Sequence, residues 1–238
     1  DKTICRYENG AVQDKAHNSL LLFFKNPENM KTYLMENEVV IDERQKARLW
    51  EYIAKLEQNK GKSVKDNFFD LYFSTTPCEE NGYKGFDYEK LCAMVLFFAQ
   101  KSSELLKTKL MKLLNYSDML FYKENGVSMS GLKYAHLPYG PVPEHFDILF
   151  GKMSADHIAH IEVMYDNGYE KHQVISDCDM PKDILSDKEI QVLERICVKF
   201  KDYGSVDISN YSHKEKGYKS TRPGEIISYA YAKDLQLN

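Results

Sequence analysis

The sequence lacks any long apolar run. Its longest runs span residues 20–24 and 93–99 of 238, whereas a membrane-spanning helix needs about 20 consecutive apolar residues. We therefore expect no membrane partner. Glycine and proline are scarce, at 12 and 7 residues, which excludes collagen-like and low-complexity chains. The 17 Tyr and 12 Phe can fill a core, so a soluble globular protein of one or two domains is expected.

Clustered metal ligands are also missing. The five cysteines form no CxxC pair and are odd in number: Cys5, Cys78, Cys92, Cys178 and Cys197. This pattern predicts reduced thiols in a cytoplasmic protein, without a zinc site. His157 and His160 form an HxxH pair, but the glutamate of an HExxH motif and a third ligand are absent. We interpret them as solvated or hydrogen-bonded histidines.

No segment carries a known catalytic or phosphate-binding motif. GxGxxG, GxxxxGK[ST] and GxSxG are all absent, so no cofactor and no enzymatic activity are expected. Cys92 lies in an apolar helical pattern and is interpreted as a core residue. The chain begins at Asp1 without a basic, apolar leader, so we expect it to be a fragment of a longer protein.

The charge distribution excludes a polybasic nucleic-acid binder. The formal net charge is −4, and residues 1–60 are formally neutral, so the excess of acidic residues lies in 61–238. Any contact with DNA would have to come from a small local patch. Lys2, Thr3 and Arg6 could share one face of a short helix and form such a patch. The alternative is a solvated, charged turn.

Hydrophobic periodicity predicts a mainly helical α+β protein. In the N-terminal quarter we expect a helical stub, two short helices around Leu20 and Tyr33, and an amphipathic helix over residues 42–58. Residues 59–63, rich in Lys and Gly, are the best candidate for a linker. Two longer helices are expected at 87–100 and 104–124. In the second of these, Lys107, Lys109 and Lys112 are expected on the outer face.

Beyond residue 126 the helical period is lost and then returns. Residues 127–143, with their prolines and tyrosines, predict an irregular turn. Alternation of apolar and polar residues on both sides of Asn167-Gly168 predicts a β hairpin over residues 161–175. Ser186 and Glu189 form a capping box that opens another helix, which we expect to end at Gly204.

The first residues resemble a known DNA-binding motif. The run KTICRYENG, from Lys2 to Gly10, is similar to the end of the recognition helix and the following turn in Xre-type helix-turn-helix repressors of the MqsA/HigA-like antitoxin group. The resemblance implies that Lys2, Thr3 and Arg6 contact operator DNA. It also implies a homodimer that reads a palindromic operator, and earlier helices of the motif upstream of this chain.

A second resemblance covers roughly residues 85–238. Three blocks are similar to the Panacea domain of SocA-like antitoxins: LLKTKLMKLLNYSDMLFYKENG at 105–126, YAHLPYGPVPEHFDIL at 134–149 and DISNYSHKEKGYKSTRPGEIISYAYAKDL at 207–235. Tyr218 stands where the family often has Trp. We therefore assign residues 1–60 to the C-terminal part of a helix-turn-helix domain, 61–84 to a linker and 85–238 to a helical Panacea domain with a small hairpin.

The resemblance implies an antitoxin whose Panacea domain binds and neutralises a co-encoded toxin protein, and which represses its own operon. We expect the partner-binding residues in the recognisable turn and the C-terminal polar motif: Tyr134, Tyr139, Gly140, Pro141, Val142, Phe146, Asp207 and His213. Exposed Tyr134, Tyr139 and Phe146 would be apolar anchors of the types found at interface hot spots. The alternative is a packed turn that only links helices.

Three further functions remain open from the sequence. One is a transcription regulator that senses something other than a toxin. Another is a proteolytic adaptor that delivers the bound toxin to a protease. The last is a hydrolase centred on His213 with Asp207 and Glu215, against which a structural hydrogen-bond network is the alternative.

Overall fold

A computed structural model describes residues 46, 47, 50, 53, 72, 73, 76–166 and 168–237. The chain divides into two compact units, Asp1–Leu71 and Tyr72–Asn238. In the first unit the described residues are helical and belong to the helix predicted at 42–58, and Ile53 is buried there. The other helices predicted before residue 59 lie outside the described residues. The three-domain division from the sequence stays a prediction.

Two helices form the centre of the second unit and follow a short 3₁₀ helix, Glu79–Asn81. Helix α1, Tyr88–Lys101, starts at Asp87, whose carboxylate accepts a hydrogen bond from the Lys90 amide at 3.0 Å. Residues 91–98 of this helix are all buried. Helix α2, Lys107–Asn125, ends at Gly126 in the left-handed conformation. Both helices were predicted from the apolar stripe to within three residues at each end.

Helix α2 is buried along its middle on every side. Residues 110–121 are all buried, because α2 packs against α1, two β hairpins and several C-terminal helices. The expectation that Lys112 lies on an outer face is therefore wrong: its side chain is 1% exposed. Lys107 and Lys109, nearer the start of the helix, are half-buried.

Residues 134–143 form a hairpin, so the irregular turn predicted across this region is wrong. Strand β1, Tyr134–Leu137, pairs with β2, Gly140–Pro143, in antiparallel register. The other edge of β1 is hydrogen-bonded to residues 224–227, where the Ile227 amide donates to the Tyr134 carbonyl at 2.8 Å. Because β2 is thus the outer strand of this small assembly, Pro141 and Pro143 can lie in it.

The second hairpin confirms the sequence prediction. Helix α3, Phe146–Ala155, leads into strand β3, Ala159–Asp166, which pairs over its whole length with β4, Tyr169–Ser176. Gly168 in the turn has a φ of 83°. Near its base the hairpin joins the core, where the Val174 amide donates to the Leu105 carbonyl at 2.8 Å.

The C-terminal part returns to helix α2. Helix α4, Asp187–Lys199, begins with the predicted capping box of Ser186 and Glu189. It ends at Lys199, not at Gly204, because Gly204 instead precedes helix α5, Ser205–Ser212. A short helix α6, Lys216–Lys219, and a 3₁₀ helix, Tyr229–Asp234, follow. The fold class is α+β and mainly helical, as predicted. No helix in the described part combines the length and the apolar composition that a membrane crossing requires.

Candidate partner-binding surface

The predicted turn is held against the core by a glycine. Gly140 has a φ of 99°, and a Cβ there would lie 2.3 Å from Ser212 Oγ and 2.7 Å from Lys112 Cε. Only glycine tolerates both the backbone conformation and this approach. Gly140 and Pro141 are buried and Val142 is half-buried, whereas Tyr139 at the tip is 73% exposed. The turn therefore presents Tyr139 on a rigid base.

Three stacked rings join this hairpin to the C-terminal helices. Tyr218 lies between His136, at 3.7 Å between ring centroids, and His213, at 4.5 Å. The Tyr218 hydroxyl donates to the Leu137 carbonyl at 2.9 Å. This hydrogen bond needs the Tyr218 hydroxyl, which the Trp that is common at this position in the family that the sequence resembles does not have. The stack fixes strand β1 to helix α6, through Tyr218, and to the end of α5, through His213.

A buried cationic side chain, Lys112, lies close to His213 of the stack. Lys112 Nζ has no hydrogen-bond partner among the described residues, and burial lowers the pKa of Lys112 to about 8. Burial also lowers the pKa of His213, with further lowering by the charges of Lys112 and His136. His213 Nε2 is enclosed and unpaired within the same described region. An enclosed nitrogen of this kind is not accessible to a substrate.

The carboxylates predicted beside His213 are bonded elsewhere. Asp207 accepts the Gly204 amide at 3.1 Å and lines a polar hollow with Tyr203 and Tyr211. Glu215 accepts from the Tyr116 hydroxyl at 3.4 Å and from the Gln236 amide at 3.3 Å. Burial raises the pKa of Glu215. The geometry gives no support to a hydrolytic centre on His213.

Tyr134 is buried, contrary to the sequence expectation. Its side chain is 0% exposed, and its hydroxyl donates to Asp118 Oδ2 at 2.7 Å. Asp118 also accepts the amides of Met129 and Ser130, both at 2.8 Å. Burial raises the pKa of Asp118, while these hydrogen bonds oppose the rise. Asp118 thus anchors the loop that leads into strand β1.

Phe146 is buried as well, so its expected exposure is also wrong. Its ring is 8% exposed and lies 4.8 Å from that of Phe150. Lys107 Nζ covers it at 4.2 Å from the ring centroid. Of the three aromatic residues predicted as surface anchors, Tyr139 is the exposed one.

Exposed apolar side chains to which the sequence analysis assigns no function lie on both faces of the second hairpin. Val163 and Tyr165 are on one face, and Met164 and Tyr169 are on the other, with exposed fractions between 44% and 77%. The sequence signal was present, since two tyrosines flank the turn. The alternation there predicts a hairpin and does not by itself indicate a function.

The predicted DNA-binding residues Lys2, Thr3 and Arg6 lie outside the described residues. Of the HxxH pair, His157 is exposed, and His160 Nδ1 lies 2.8 Å from Asp177 Oδ1. Across the ranges that the structure describes, no three His, Cys, Asp or Glu side chains are grouped to hold a metal ion.

Comparison with known proteins identifies one region. Residues 110–219 match the family model described as "Antitoxin SocA-like, Panacea domain". The match runs from the first turn of α2 to the end of α6 and contains both hairpins. The matched family is one of antitoxins and not of enzymes, and an antitoxin domain implies a toxin partner in general. Searches of curated proteins and of solved structures gave no match.

Proposed function

We propose that this protein is the antitoxin of a toxin–antitoxin pair, and that it binds and neutralises a co-encoded toxin protein through residues 85–238. The observation that carries this proposal is the match of residues 110–219 to the SocA-like Panacea antitoxin domain. Neutralisation here means masking of the toxin by binding, for which the chain needs an interaction surface and no catalytic centre.

The geometry divides the predicted partner-binding residues into two groups. Tyr139 and Asp207 are exposed and are proposed as direct contacts with the toxin. Tyr134, Phe146, Gly140, Pro141 and His213 are packed or enclosed, and we propose that they hold the contact surface in place. Val142, which is half-buried, belongs to the same support.

The test is co-purification. The tagged chain is expressed together with the protein encoded beside its gene, and the two are purified on the tag and by gel filtration. A stable complex of defined stoichiometry is expected. If the neighbouring protein is expressed in soluble form and elutes apart from this chain, the proposal is wrong. Loss of the toxin only when a cellular protease is present would indicate delivery to that protease instead of masking.

We extend the proposal to DNA on the strength of the N-terminal motif alone. The run KTICRYENG supports a helix-turn-helix in which Lys2, Thr3 and Arg6 contact operator DNA, with a homodimer repressing its own operon. Replacing Arg6 by Ala in the complete protein should weaken operator binding by about 1–3 kcal/mol. Toxin binding should be unchanged, because it belongs to the other unit. Electrophoretic mobility shifts measure operator binding, and co-purification measures toxin binding. Loss of both in the Arg6→Ala variant would contradict the assignment of the two activities to separate units.

A further inference from the structure

The outer edge of strand β3 offers unpaired backbone groups. The Asp177 amide donates to the Ile158 carbonyl, so even-numbered residues of β3 direct their backbone groups toward β4. In an antiparallel pair this direction alternates along the strand. The backbone groups of Ile161, Val163 and Tyr165 therefore point away from β4. Within the described ranges no backbone group is bonded to them.

The opposite edge of the hairpin is partly occupied. Val174 in β4 donates its outward amide to the Leu105 carbonyl, and Gln173 forms a β bridge with Leu106. The core thus already supplies a short strand-like partner to β4. No described residue pairs with the outer edge of β3, which makes it the side on which another extended chain can be added.

The open edge has few of the features by which proteins protect exposed strands. Such edges usually carry Lys or Pro, or are very short. Strand β3 is eight residues long, with the sequence AHIEVMYD and neither of these residues. Val163 and Met164 are 47% and 44% exposed, and Tyr165 is 76% exposed. Extended length and apolar exposure together are typical of strands that pair with another chain.

The charge along this edge indicates the chemistry of the partner. Glu162 is exposed, and no ion pair involves it in the described part of the chain. The one lysine of the hairpin is Lys171, whose Nζ lies 3.5 Å from Glu104 Oε1. Glu170 Oε1 lies 2.5 Å from His172 Nε2. Among the described side chains of β3, the exposed charge that has no ion pair is therefore the negative charge of Glu162, which favours a strand that carries Lys or Arg.

We propose that the toxin adds an extended segment with apolar and basic side chains to the outer edge of β3, so that the hairpin becomes a three-stranded sheet. This inference rests on the proposed function and names the surface and the chemistry by which the toxin is held. Backbone hydrogen bonds to Ile161, Val163 and Tyr165 supply affinity, while Val163, Tyr165 and Glu162 select the partner's side chains.

Amide hydrogen exchange tests the proposal directly. In the free protein, the amides of Ile161, Val163 and Tyr165 should exchange quickly, while those of Glu162 and Met164 exchange slowly because they bond to β4. In the complex with the protein encoded beside the gene, all five should exchange slowly. A complex that forms while the three outward amides still exchange quickly overturns the proposal.

A matched pair of variants gives a second readout. Val163→Pro removes one outward amide without breaking a bond to β4, and Val163→Thr keeps the amide and the β-branched shape. We expect the Pro variant to bind the toxin at least about tenfold more weakly and the Thr variant within about twofold of the parent. Glu162 amide exchange in the free Pro variant verifies that the hairpin is intact. Equal binding by the two variants overturns the proposal.

Two other outcomes are distinguishable. If the outward amides become protected in the protein alone, and increasingly so with concentration, the occupant is a second copy of this chain and the proposal for the toxin is overturned. If the unaltered protein forms no complex with its neighbour, the proposed function itself fails. A complex that tolerates every change at β3 leaves the function standing and removes only this inference.

Discussion

Lys112 is a long cationic side chain in a place that water does not reach. It lies in the middle of α2, where β2 and α5 cover it, and no hydrogen-bond acceptor contacts its amine in the described part of the chain. A buried, unpaired charge is costly, and the group responds by losing its proton more easily. Lys112 therefore lowers stability while it supports the turn that carries Tyr139.

Replacing Lys112 by Met should stabilise the fold. The pKa falls from 10.5 to about 8 in the folded protein, so the unfolded chain binds more protons between these two values. The penalty is complete below pH 8 and declines as the pH rises toward 10.5. We expect the variant to be about 3 kcal/mol more stable at pH 7. The gain should shrink with rising pH. Urea unfolding at pH 7 and pH 10 measures this gain in the free energy of unfolding. A gain independent of pH would show that the buried charge of Lys112 is not its cause.

Gly140 offers a second prediction at the residue scale. Gly140→Ala should destabilise the protein by more than about 2 kcal/mol, because the added Cβ meets Ser212 and Lys112 at a positive φ. Gly126→Ala is the matched control. Gly126 also has a positive φ, of 79°, but a Cβ there meets no atom of the described residues within 4 Å. The control should cost only about 1 kcal/mol. Equal losses in thermal unfolding would show that backbone strain alone accounts for Gly140.

At the level of elements, the two hairpins differ in how far the sequence predicts them. Hairpin β3–β4 is local, with a two-residue turn and alternating strands, so its pattern is visible in one stretch of sequence. Strand β1 pairs also with residues 224–227, about 90 positions away, and β2 contains two prolines. Neither the distant pairing nor the protection of those prolines at an edge can be read from residues 127–143 alone.

The sequence does not predict the burial of α2 on every side, for a related reason. Its apolar stripe correctly predicts a helix with one buried face. The burial of Lys112 and Asp118 depends on β1, β2 and α5 closing over the other faces. The exposure of Tyr139 and the burial of Tyr134 likewise depend on strand pairing. Helix positions and the capping box of α4 follow from local sequence, whereas the candidate site follows from tertiary contacts.

The bond between Tyr134 and Asp118 should hold the first hairpin to α2. Tyr134→Phe removes a hydroxyl that donates to a fully buried carboxyl group, and we expect a loss of about 1–3 kcal/mol. Tyr139→Phe removes a hydroxyl from a residue that is 73% exposed and should leave stability unchanged. Calorimetry measures both variants, and a neutral Tyr134→Phe variant would show that the carboxyl group finds another donor.

For the whole molecule, the matched region and the proposed contacts fall within one unit. Residues 110–219 contain Tyr139, Asp207 and the open edge of β3. The proposed DNA contacts belong to the unit Asp1–Leu71. The proposed toxin contacts and the proposed operator contacts therefore belong to separate units of the chain.

Growth rescue tests the central claim most directly. The protein encoded beside the gene is induced alone, with this chain, and with its Tyr139→Ala variant; Val198→Ala, an exposed residue on α4, is the control. We expect growth arrest by the neighbour alone, rescue by the chain and by the Val198→Ala control, and weaker rescue by Tyr139→Ala. Growth arrest that this 238-residue chain does not relieve, although both proteins are present in soluble form, would contradict the proposed function.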